Sequence, residues 1–327
     1  MWSCRVALIL GSILTTTGLL LSGFVRDINY VIFLIGIVSG FGACLSIHAS
    51  EIVIGYNFVR YRNLACGIAV SGTGIGTLLF TPLMQMAKDY YGYTGLCLMC
   101  SALSLHLSIF AALCRPSFIE IKSKKEGKGH VRKAVSDFLR SFRLLRHGHF
   151  AFLCSSMTTS AFGIFLMNVH FTSLVLEQGS SKTSAANFLS ISGACNACAR
   201  FLVGMASNSD NINELLLYSG CFSILGISAL AIPTYIEYYG GQIAFAMFLG
   251  TYSGCCYTLL NTINVKLLGI ENLSMAYGIE LLAGGIGATS GPVVSGKSAY
   301  RDRHHKKTWL YFFSQTNVTV IPYLQDS

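Results

Sequence analysis

The sequence predicts an all-α membrane protein, and three observations carry that prediction. Of 327 residues, 53% are hydrophobic and only 11% are charged, less than half the roughly 25% charged residues of an ordinary soluble domain. Mean hydropathy is +0.57. Apolar stretches recur at 6–24, 30–49, 64–86, 94–114, 150–174, 186–206, 215–233, 241–265 and 274–296, each about 18 residues or more, which is enough to cross a hydrocarbon core about 30 Å thick. A water-soluble enzyme, a disordered linker and a fibrous repeat are excluded on these grounds.

The charges organise the spans. The formal net charge is +9, and ten of the 23 Lys and Arg lie between Arg115 and Arg146, with five more between Lys297 and Lys307. A basic segment between apolar stretches marks a cytoplasmic loop. Four domains follow: a four-span bundle over 1–114, a basic cytoplasmic loop over 115–149, a five-span bundle over 150–296 and a polar basic tail over 297–327. Counting back from the loop places Met1, Arg60, Arg62 and Lys266 at the cytoplasmic side, and the turns 25–29 and 87–93 outside. The tail then falls outside, against the positive-inside rule. Within the loop, Val135, Phe138, Leu139, Phe142 and Leu145 repeat at helical spacing, suited to a tether or to a helix lying on the inner leaflet. An external tail would expose Asn317-Val318-Thr319 as a glycosylation acceptor.

The chain also repeats itself. Ala65, Gly67, Ile68, Gly74, Ile75 and Gly76 recur as Ala276, Gly278, Ile279, Gly285, Ile286 and Gly287 at a constant offset of 211. One helix upstream, Gly36-x-x-Ser39-Gly40 recurs as Gly250-x-x-Ser253-Gly254 at an offset of 214. Two parallel halves related by an axis along the membrane normal are a transporter architecture. In that register spans two and three match spans eight and nine, and the nine helices read as part of twelve, two short in front and one behind.

The segment Asn57-Phe58-Val59-Arg60-Tyr61-Arg62-Asn63-Leu64-Ala65-Cys66-Gly67-Ile68-Ala69-Val70-Ser71-Gly72 resembles the signature leading into the fifth helix of the monocarboxylate transporter family, within the major facilitator superfamily. Asn196-x-x-x-Arg200-x-x-x-Gly204 and the run from Ala276-Tyr277-Gly278 to Gly291-Pro292 extend the resemblance over about 5–296. It implies a major facilitator bundle with two pseudo-symmetric halves, about nine of its twelve helices present, and a chain truncated at both ends. The implied activity is secondary transport of monocarboxylates or related small organic solutes by alternating access. The alternative is a truncated membrane protein that does not transport and either acts only through association with other membrane proteins or is inert.

Arg200 is the leading site residue. No other charge lies between Ala185 and Ala206. Holding a guanidinium in the middle of a membrane costs about 2.5–3.5 kcal/mol on insertion scales, so it should face a cavity. Its planar fork suits a carboxylate, and the resemblance implies the same role. Asn196 stands one turn earlier on the same face. Many family members have an aspartate there, thought to take part in proton coupling; an amide does not titrate, which favours facilitated exchange over proton symport through this position. Glu280 either pairs with Arg200 or takes over the proton, His170 resembles a family position late in the seventh helix, and both are expected, with Asn196, to shape the substrate pocket around Arg200.

Arg60 and Arg62 fall at the water interface, as a positive-inside anchor or a gate. Gly72-x-x-x-Gly76 and Gly287-x-x-x-Gly291 are small-residue faces for close helix packing, and Gly67, Gly204 and Gly278 belong to the family pattern. Gly72–Gly76 is no phosphate loop, because no strand precedes it. The pairs Cys97/Cys100 and Cys195/Cys198 lie in apolar runs and read as small packing residues. No metal, cofactor, enzymatic activity or nucleic acid is expected. The partners expected are a small organic anion such as a monocarboxylate, the lipid bilayer of the plasma membrane, and, by the resemblance, a proton and a single-span accessory subunit.

Overall fold

In a computed structural model of the chain, the described residues are 4–58, 60–114, 142–209 and 211–301. Every regular element among them is helical. Most of the basic loop, including Val135, Phe138 and Leu139 of its apolar pattern, and the tail with Asn317 lie outside the described residues.

Helix α1 spans Cys4–Ser22. Helix α2 spans Ile28–Asn57; Asp27 opens it by accepting from the Asn29 amide at 2.9 Å, and it includes a wide π turn at Phe33–Ser39. Helix α3 runs Arg62–Leu113, 52 residues or about 78 Å of rise, more than twice the thickness of a bilayer core. It is therefore two crossings, broken at Gly92 where φ is 66°. Pro82, which cannot donate to the helix ladder, interrupts its first arm. Helices α4 (Gly148–Glu177), α5 (Lys182–Ala206), α6 (Glu214–Leu230), the short α7 (Ile232–Tyr235), α8 (Tyr239–Leu268) and α9 (Leu273–Arg301) follow. Ser181 caps α5 and Asn213 caps α6.

Six of these helices, α3 included, are long and apolar enough to cross a membrane. With α3 counted twice and α6 and α9 added, the helices coincide with the nine apolar stretches of the sequence.

The chain divides into two units, Met1–Arg60 with Pro82–Phe138 and Tyr61–Thr81 with Leu139–Ser327. In the first, α1 packs on α2 where Gly11 and Gly42 meet: a Cβ added at either would stand 2.6 Å from the carbonyl oxygen of the other. Hydroxyl pairs tie α1 to the second arm of α3, Ser12 with Ser108 at 2.6 Å and Thr16 with Ser104 at 2.9 Å. The second unit holds the better buried core, around Phe171, Phe188, Phe245 and Leu249. Phe171 and Phe245 pack with ring centroids 5.3 Å apart. Here α4 pairs with α9 and α5 with α8.

The first arm of α3 lies against α5 in this unit. A Cβ on Gly67 would stand 2.8 Å from the Arg200 carbonyl oxygen, and one on Gly74 2.7 Å from that of Gly193. Gly204 returns the contact, 2.8 Å from the Gly67 Cα. A Cβ on Gly72 would meet no described atom within 4 Å, and one on Gly76 only the Phe80 ring at 3.8 Å. The close approach expected of Gly72-x-x-x-Gly76 is thus made by Gly67 and Gly74, which are seven residues apart and so share a helix face. Gly287 and Gly291 do pack closely, against the backbone of Thr158 and Phe162 on α4.

Candidate functional site

Arg200 lies six residues before the end of α5, about 9 Å from it by helix rise, and not at mid-span. It is 9% exposed. Its Nη1 donates to the Val70 carbonyl at 3.1 Å, an oxygen that also accepts from the Thr73 hydroxyl at 2.8 Å. The guanidinium carbon stands 5.6 Å from the centroid of the Tyr257 ring, within the range of a cation–π contact. Both of these partners are uncharged.

Asn196 joins Arg200 on the same stripe of α5. Its amide donates to the Gly250 carbonyl at 3.1 Å and to Ser253 Oγ at 3.5 Å. Two glycines of α8 make the room. A Cβ at Gly250 would collide with the Ser192 carbonyl, and one at Gly254 would lie 2.8 Å from Arg200 Nε and press on the Asn196 amide. The repeated Gly-x-x-Ser-Gly motif therefore seats the two polar side chains that sequence reasoning singled out.

Two side chains to which sequence reasoning gave no role close one end of this unit. Asn63 donates to the Ser207 carbonyl at 2.7 Å and accepts from the Thr262 hydroxyl, tying the start of α3 to the end of α5 and to α8. Asn63 is 5% exposed and Thr262 8%. The polar run Asn261-Thr262-x-Asn264 inside an otherwise apolar span was the available signal. Nearby, Lys266 Nζ meets Glu214 at 2.6 Å. With Lys266 mostly in solvent, such a pair contributes at most about 1 kcal/mol.

Glu280 and His170 do not join the Arg200 cluster. Glu280, 1% exposed, accepts from Asn264 Nδ2 at 2.6 Å and has the Cys154 thiol in electrostatic range. His170 is half-buried on α4 beside Phe171. Counted from the turn between α4 and α5, it sits about 16 Å from Arg200 along the helix axes. Arg62 is buried at the first turn of α3, and Arg60 just before it is exposed. Gly278 is exposed on α9.

The Major Facilitator Superfamily profile matches residues 2–292. Among curated relatives, Monocarboxylate transporter 12-B of Danio rerio is 26% identical over 302 residues, covering 85% of this chain and 63% of its own length. Monocarboxylate transporter 4 of Rattus norvegicus is 26% identical (90% and 63% covered), and Monocarboxylate transporter 13 of Bos taurus 28% (89% and 66%). The chain thus spans about 63% of the first two relatives. Among solved structures, the human organic anion transporter MFSD10 superposes with a TM-score of 0.70 at 12% identity, covering 97% of this chain and 77% of that one. The Escherichia coli fucose:proton symporter FucP gives 0.68 at 17%, covering 97% and 83%. At such identities these two bear on the fold alone. With helices at all nine apolar stretches, these matches make the chain a multi-pass integral membrane protein that belongs to the Major Facilitator Superfamily.

Proposed function

We propose that the chain moves monocarboxylates or related small organic anions across the plasma membrane by alternating access, with Arg200 holding the carboxylate. The observation that carries this reading is the buried guanidinium, set beside Asn196 in space that Gly254 leaves open. A guanidinium offers a carboxylate two parallel charge-assisted hydrogen bonds, and the cost of keeping one inside a membrane makes a purely passive role expensive. The names of the relatives support the substrate class. Asn196 shapes the pocket without titrating. Glu280 and His170 act from outside the Arg200 cluster, and a proton and a single-span accessory subunit are the partners of the same reading.

Uptake of labelled short monocarboxylates into vesicles carrying the chain tests it. Arg200→Gln is expected to lower uptake at least a hundredfold. Arg200→Lys is not expected to restore it, since an ammonium lacks the planar fork. Uptake by Arg200→Gln equal to that of the unaltered chain overturns the assignment.

A further inference from the structure

Glu280 and Asn264 form a buried hydrogen-bonded pair, and each group keeps one oxygen without a partner. Asn264 Nδ2 donates to Glu280 Oε2 at 2.6 Å. The remaining oxygens of the same two groups, Glu280 Oε1 and Asn264 Oδ1, are buried with no hydrogen-bond partner among the described residues. When Glu280 is ionised both are acceptors, and neither serves the other. A proton on Oε1 turns that oxygen into a donor, to which the unpartnered Asn264 Oδ1 offers an acceptor on the same hydrogen-bonded pair, and the carboxyl then carries no charge.

The surroundings bring little charge to the pair. Glu280 is 1% exposed and Asn264 0%, and burial without a compensating charge disfavours a carboxylate. The ionisable groups brought near are few. From α4 comes the Cys154 thiol. From α8, Lys266 turns its ammonium to Glu214. On α9 itself Tyr277 is buried three residues away. Among the described residues, no cation is hydrogen-bonded to Glu280.

We propose that Glu280 and Asn264 form a proton-binding site. An O–H bond forms at Oε1 as hydronium gives up its proton and leaves as water, and release reverses the step. Its use in transport rests on the anion reading of Arg200: one proton at Glu280 with one carboxylate at Arg200 leaves the loaded protein with the charge of the empty one. The repeat singles the site out, because the position equivalent to Glu280 in the first copy is Ala69.

Infrared difference spectra of the full chain in phosphatidylcholine liposomes, between neutral and alkaline buffer, read the acid directly. The expected result is a protonated-carboxyl carbonyl band at neutral pH that disappears on alkaline titration and is missing in Glu280→Gln. In Asn264→Leu the band should move to higher frequency, because its carbonyl no longer accepts a hydrogen bond; this variant reads the site even if Glu280→Gln fails to accumulate. A band unchanged by Glu280→Gln, or unmoved in Asn264→Leu, overturns the proposal. In vesicles, Glu280→Gln should remove the stimulation of uptake by an inward proton gradient. A chain that takes up no monocarboxylate at all would sink the Arg200 reading and leave the infrared result standing.

Discussion

The two copies of the internal repeat, 65–76 on α3 and 276–287 on α9, share six residues and pack through opposite faces. In the first copy the face of Gly67 and Gly74 lies against α5, while Gly72 and Gly76 meet little or nothing. In the second, the positions equivalent to Gly67 and Gly74 are Gly278 and Gly285, and both are exposed. There the working face is that of Glu280 and Gly287, set against Cys154 and Thr158 of α4. The equivalents of those two are Ala69, which is exposed, and Gly76. At about 100° per residue, positions seven apart nearly coincide and positions two apart lie nearly opposite. A glycine pattern thus supplies two smooth faces, and the neighbouring helix selects one.

Exchanging bulk between the copies breaks or sharpens this comparison. The largest effect is expected from Gly74→Leu and Gly287→Leu, where a side chain must displace backbone: a loss of about 3 kcal/mol, seen as a lowered melting temperature in detergent. Their counterparts Gly285→Leu and Gly76→Leu should leave melting nearly unchanged. Equal losses in all four would mean that both faces of each copy are packed.

A smaller effect separates the copies of the upstream motif. Gly254→Ala puts a methyl against Arg200 and Asn196 and is expected to raise KM for a labelled monocarboxylate about tenfold, or about 1.4 kcal/mol, with little change in melting. Gly40→Ala, its counterpart on α2, meets only the Ile35 carbonyl at 3.7 Å and should leave KM alone. The smallest effect is a gain. Gly72→Ala places its methyl in open space and should stabilise α3 by about 0.5–1 kcal/mol through helix propensity, measured as a small rise in melting temperature.

The two units differ in a similar sense. The first unit's α1 and α2 bury 22% and 17% of their most apolar window, against 61% for α4, 28% for α5 and 53% for α8 of the second. Hydropathy does not separate them, since α2 is more apolar than α8. Apolar side chains serve lipid and protein interiors equally well, so composition reports the solvent and not the neighbour.

Much of the site was legible for the same reason that the spans were. A cation in an apolar run is costly, so Arg200 stood out, and Asn196 followed from the helical period. The depth of Arg200 did not, because the ends of α5 depend on where the turn at Ser207 closes. His170 was legible only as a family position, and its distance of about 16 Å from Arg200 along the helix axes was not. Asn63, quoted only within the family signature, and Thr262 and Asn264 were given no role because a single amide or hydroxyl in a membrane helix is cheap whenever it finds a partner, and partners are a property of the packed state.

The sequence by itself determined that the chain crosses a bilayer repeatedly, where its crossings lie, and that one guanidinium must be sheltered, since each follows from the price of polar groups in hydrocarbon. Only the tertiary structure decided which glycine face meets which helix, and that Glu280 answers to Asn264 instead of Arg200. Those choices depend on contacts between residues far apart in the chain, and a helical period carries no record of its neighbours.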